Sequence, residues 1–137
     1  MKPIKIISHP LILITAFSFI LISGEHLGGF YLLHILLGLS HGAIHSVLAV
    51  AGIGIICFSY YRYKREFTYL IGPVLDIAGA MLMMLSLFLF FYRDKSQYNY
   101  STFYQLVPQI TLAVFMIVMF CFLITSVIRI RQVSANI

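Results

Sequence analysis

Charge is the scarcest property of this sequence. Of 137 residues, four are Asp or Glu and nine are Lys or Arg, 9% in all, where a soluble domain carries about a quarter. So few charges cannot clothe a water-facing surface, which excludes a globular cytosolic enzyme. The low charge also excludes a disordered chain. The nine bases fall into small groups with no continuous patch to track phosphates, which excludes a nucleic-acid module. Cysteine is reduced to Cys57 and Cys121; both fall in apolar runs, where they read as small packing residues rather than a disulfide. There is no HExxH, no GxSxG, no P-loop and no glycine-rich dinucleotide motif. There is also no linker, internal repeat or low-complexity segment that could separate domains.

What remains is apolar. Hydrophobic residues make up 61% of the chain and the mean hydropathy is +1.00. A helix crossing the hydrocarbon core needs about 17–25 apolar residues. Four runs qualify, at about 6–23, 30–61, 67–92 and 103–128. They are continuous, whereas membrane strands would show alternating segments of about ten residues. The sequence therefore predicts an all-α fold, a single integral membrane bundle of four transmembrane helices over residues 1–137.

Orientation follows from the bases beside the spans. Lys2, Lys5, Arg62, Lys64, Arg65, Arg129 and Arg131 fall on one side, and only Arg93 and Lys95 on the other. Both termini are expected in the cytoplasm, in a cell inner (plasma) membrane. Tyr31, Tyr92, Tyr98, Tyr100 and Tyr104 would mark the outer interface, and Tyr60, Tyr61, Tyr63 and Tyr69 the inner one. Lys2, Lys5 and the following apolar run have the flavour of a signal peptide. No A-x-A site follows, so the run reads as a retained first span.

The second run is over-long. Its roughly 32 residues would reach on the order of 48 Å as one helix, against a core of ~30 Å. Either the helix is long and tilted, or a short interfacial segment at 30–39 precedes it. Gly38 and Gly42 are the natural bending points; the absence of proline favours one tilted helix. On a continuous helix His34, Gly38, His41, Gly42, His45, Ala49 and Gly52 share one face. Small residues let another helix approach, and imidazoles avoid lipid, so this face should point at a neighbour. Gly38, Gly42, Gly52 and, on the third span, Gly79 are the candidate helix-packing positions.

Asp76, inside the third span, is a functional candidate by default, because a carboxylate there costs about 2.5–3.5 kcal/mol to insert. Counting from the span centres puts His45 near the midplane and Asp76 about 6 Å inward of its own span centre, so that the two could meet. Gln109 lies near the depth of His41. His34, His41, His45, Asp76 and Gln109 thus form the candidate polar intramembrane site.

Three functional readings follow. The first is an accessory or self-associating subunit of a membrane complex, without catalysis or cofactor, whose partners are the lipid bilayer and either further copies or a larger complex. The second is a protein that conducts protons or small cations along the His/Asp stripe. The third is a metal or haem b site: His41 and His45 form an i, i+4 pair suited to a metal ion, whereas bis-His haem would need a histidine from a second copy.

Overall fold

The computed structural model describes residues 6–24, 28–63, 70–93 and 98–135. They are mostly helical. Helix α1 spans Pro10–Ser18, the strands β1 and β2 span Leu21–Ile22 and Gly29–Phe30, and helix α2 spans Tyr31–Ser40. Helices α3 (Ile44–Tyr63), α4 (Ile71–Tyr92) and α5 (Leu106–Ser134) follow, with a 3₁₀ turn at Tyr100–Phe103 before the last. The three long helices are each long and apolar enough to cross a membrane, and they mark the chain as a membrane protein.

The first apolar run is only partly helical. Pro10 starts α1, where its missing N–H is no loss, and the His9 ring accepts the Leu11 N–H at 3.3 Å. Nine residues reach only about 13.5 Å, and the chain then becomes extended. Extended backbone in an apolar setting must find partners. Leu21 and Ile22 pair antiparallel with Phe30 and Gly29. The Tyr31 N–H donates to the Ile20 carbonyl at 2.7 Å, and the Leu21 N–H donates to Thr111 Oγ1 at 3.0 Å. Thr102 Oγ1 accepts the Ser23 N–H at 2.9 Å. Helix and extended stretch together reach from His9, 3.3 Å from the Tyr60 hydroxyl near the end of α3, to Ser23 beside the start of α5.

The second run is not one tilted helix. It breaks between α2 and α3, and the break is a Schellman turn. The Ala43 N–H donates to the Gly38 carbonyl at 2.8 Å and the Gly42 N–H to Leu39 at 3.2 Å, while Gly42 adopts φ 67°. This left-handed conformation suits glycine and ends helices without proline. A side chain at Gly42 would meet nothing within 4 Å, so only backbone strain opposes it. Gly42→Ala is therefore expected to destabilise the fold by about 1–2 kcal/mol, as read by thermal unfolding in detergent; an unchanged midpoint would mean the break is absent in solution.

Helices α3 and α4 form the closest pair. A Cβ on Gly52 would sit 2.7 Å from the Gly79 carbonyl oxygen, and one on Gly79 would sit 2.9 Å from that of Gly52 and 2.6 Å from Ile56 Cγ1. The two glycines lie back to back within one chain. Ala49, Ile56, Ala80 and Met83 continue this seam, all fully buried. On the far side Phe17 of α1 meets Tyr31 edge-on at 5.2 Å and Phe115 of α5 at 5.4 Å. Tyr31 is fully buried, so it belongs to the core and not to an interfacial belt. Tyr92, Tyr98 and Tyr104 are exposed, as are Tyr60 and Tyr61; Tyr69 lies outside the described residues.

Candidate functional site

Two polar clusters sit inside the bundle, at different depths. The first joins α4 to α5. Arg129 Nη1 donates to Asp76 Oδ2 at 2.8 Å, with side chains only 9% and 2% exposed. Asp76 enters one turn after Gly72 on α4, where an added Cβ would press on Tyr63 Cβ at 3.3 Å and stand in ordinary contact, 3.8 Å, with Arg129 Nη2. Ser59 Oγ donates to the Gly72 carbonyl at 3.0 Å, tying α3 to the same place. Asp76 Oδ1 and Arg129 Nε are buried with no hydrogen-bond partner among the described residues.

The second cluster joins α2, α3 and α4. Ser86 Oγ lies 2.8 Å from the Tyr31 hydroxyl and donates to the His45 carbonyl at 2.6 Å. If Ser86 donates to the carbonyl, the Tyr31 O–H must donate to Ser86, so a single hydroxyl links three helices. The His34, His45 and Tyr31 rings meet Phe90 edge-on, with centroids 5.2–5.3 Å apart. His45 Nε2 and Ser46 Oγ are buried without a partner among the described residues. Both point at Gly38, where an added Cβ would lie 3.1 Å from the first and 2.1 Å from the second. Removing the link leaves the Tyr31 hydroxyl buried and unsatisfied. Ser86→Ala should cost ~1–2 kcal/mol, and Tyr31→Phe placed on top of it should add little. A full additive loss in that double variant would show the hydroxyls do not bond each other.

The candidate residues are therefore divided. His34 is half-buried, its Nδ1 3.3 Å from the Phe30 carbonyl. His41 is exposed at the break, its Nδ1 2.9 Å from both Leu37 O and Ser40 Oγ. Because the helix stops at Gly42, the i, i+4 face that would align His41 with His45 does not exist. Asp76 is paired with Arg129, not His45. His45 lies at the level of Ser86, ten residues along α4, or about 15 Å. Gln109 is exposed and donates to the Phe103 carbonyl. Gly52 and Gly79 make the α3–α4 seam, Gly38 packs on Ser46, and Gly42 is a turn rather than a packing position. Among the described residues no group of three or more His, Cys, Asp or Glu could hold a metal ion. The sequence also puts Glu25 and His26 at the outer end of the polar stripe; both lie outside the described residues.

Sequence reasoning missed Arg129, Tyr31, Ser86 and Ser46. Arg129 was legible as a base flanking the last span, but α5 runs five residues past it, so it sits inside a helix. A hydroxyl that chooses a backbone carbonyl on another helix leaves no pattern of its own.

Compared with models of protein families, with curated proteins and with solved structures, the chain matches none.

Proposed function

We propose that the protein is a non-catalytic integral membrane subunit that acts by associating within the bilayer, with itself or with a larger membrane partner. In this reading the chain crosses a cell inner (plasma) membrane four times, with both termini cytoplasmic. The crossings are the 6–23 segment, the broken α2–α3 unit, α4 and α5. Removing Arg129 from the flanking bases still leaves Lys2, Lys5, Arg62, Lys64, Arg65 and Arg131 against Arg93 and Lys95, so the bias keeps its direction.

The observation that carries the reading is how the intramembrane polar groups are used. Asp76 and Arg129 neutralise each other. Ser59 and Ser86 bond backbone carbonyls of neighbouring helices, and Ser126 bonds its own helix at Phe122. Between the two clusters lies a fully buried apolar layer of Ile56, Ala80 and Met83. A proton moving from one cluster to the other would find no donor or acceptor among the described residues of that layer. The interhelical bonds hold the bundle together, which supports a role without chemistry of its own.

The unpartnered Nε2 of His45 favours one second reading, uptake of a proton or small cation at that nitrogen. One preparation separates the two. Native mass in a mild detergent should give a multiple of the 15.6 kDa chain or a complex with a larger protein. Proteoliposomes carrying a pH dye should leak no faster than empty ones. A monomeric mass together with a proton flux abolished by His45→Ala would replace the first reading with the second. Visible absorption and metal analysis of the same sample test the third: a Soret band or stoichiometric metal would install it.

A further inference from the structure

Helix α5 is 29 residues long and buries one side, with Phe115, Met119 and Phe122, against the bundle. Its opposite side carries isoleucine at positions 110, 117 and 124, seven residues apart. Val107, Val114, Cys121 and Ile128 take the alternate positions, so that the spacing runs three, four, three, four. The isoleucines and valines of this stripe are 46–61% exposed. We infer that the stripe is a seam on which a second copy of the chain docks in parallel. The inference rests on the membrane-subunit reading above and names both the partner and the surface.

Three features select this occupant. The first is residue type. A face that meets only lipid has no reason to repeat one residue. The outward face of α4 mixes Met81, Leu85 and Phe88, and that of α3 passes from Val47 through Gly54 to Phe58. On α5 every seam position except Cys121 is Ile or Val. A helix holds these branched side chains in one χ1 rotamer, so packing them costs little freedom. Helices in a bilayer associate through such packing, because lipid tails are as apolar as the side chains. The second is self-match. The bias of Lys and Arg gives every copy the same orientation. Two copies related by rotation about the bilayer normal run their α5 helices parallel, with each residue near its own counterpart. A seven-residue repeat then interlocks with itself in every layer. The third is length. From Val107 to Ile128 the stripe runs about 32 Å, against a hydrocarbon core of ~30 Å, and it holds no charged side chain. Arg131, next on the same stripe, is exposed and falls beyond the core, where water and salt screen the repulsion between copies.

The chain's two cysteines supply the test. Cys121 lies in the seam, half-buried by its own chain, and Cys57 is exposed on α3. In paired copies the two Cys121 thiols come together and the two Cys57 thiols do not. Full-length protein in liposomes, at high dilution in lipid, is oxidised with molecular iodine, which enters the bilayer. A disulfide-linked pair of chains should form from the unaltered protein and from Cys57→Ser, and none from Cys121→Ser. In mild detergent Ile117→Ala should weaken association about tenfold. Met81→Ala, on the outward face of α4, should leave it unchanged. Both side chains are more than half exposed, so neither variant removes a contact that the single chain needs to fold. Linkage through Cys57, linkage through neither thiol, or equal association of Ile117→Ala and the unaltered chain would overturn the inference. A complex that holds one copy beside a larger protein would also overturn it and leave the subunit reading standing. A lone chain that binds nothing would overturn both.

Discussion

Arg129→Ala should be the most damaging single substitution outside the glycine seam, costing about 3–5 kcal/mol, because it strands the Asp76 carboxylate in the bundle. Asp76→Ala should cost a similar amount by stranding the guanidinium. Removing both at once should hurt less than either alone. Apolar replacements of similar volume, Asp76→Leu with Arg129→Met, are expected to recover most of the loss, since a buried pair gives back in attraction roughly what its desolvation takes. Denaturant titration of the detergent-solubilised protein, followed by helical signal, measures all four proteins. Two single variants as stable as the unaltered chain would mean that the ion pair does not form. A double variant as unstable as the sum of the singles would mean that the two side chains do not interact.

This pair also shows where the sequence was legible and where it was not. That Asp76 had to be partnered followed from the cost of a carboxylate in lipid. Its partner could not be found by matching depths on ideal helices. Depth counting assumed that the second run was one straight helix centred near Ser46. A Schellman turn at Gly42 shifts that centre, and His45 moves from the supposed midplane to the level of Ser86. Helix ends of this kind depend on a single left-handed residue, and glycine at a bend reads the same as glycine at a packing seam until neighbours are known. The three long apolar helices were legible because their signal is summed over about twenty residues. The first run was not, because the change from helix to strand after Ser18 depends on Thr102 and Thr111, 79 and 90 residues from the groups they meet, accepting its backbone N–H groups.

Glycine itself gives the sharpest remaining contrast, because α3 carries two glycines in opposite surroundings, two residues apart. Gly52 faces α4, where an added methyl would stand 2.7 Å from the Gly79 carbonyl oxygen and 2.9 Å from Met83 Cγ. Met83 can turn aside, but the backbone oxygen cannot move without separating the helices. Gly54 faces outward, with nothing within 4 Å of an added Cβ. Gly52→Ala should therefore lose stability at the upper end of the ~1–3 kcal/mol typical of overpacking, and Gly52→Leu should prevent the α3–α4 pair from closing. Gly54→Ala should instead gain up to about 1 kcal/mol from helix propensity alone. Propensity acts on both positions alike, so the difference between the two alanine variants isolates the contact with α4. Denaturant midpoints of the two, measured side by side in the same detergent, should move in opposite directions. Equal shifts would mean that Gly52 and Gly79 do not meet, and would remove the closest helix contact from this fold.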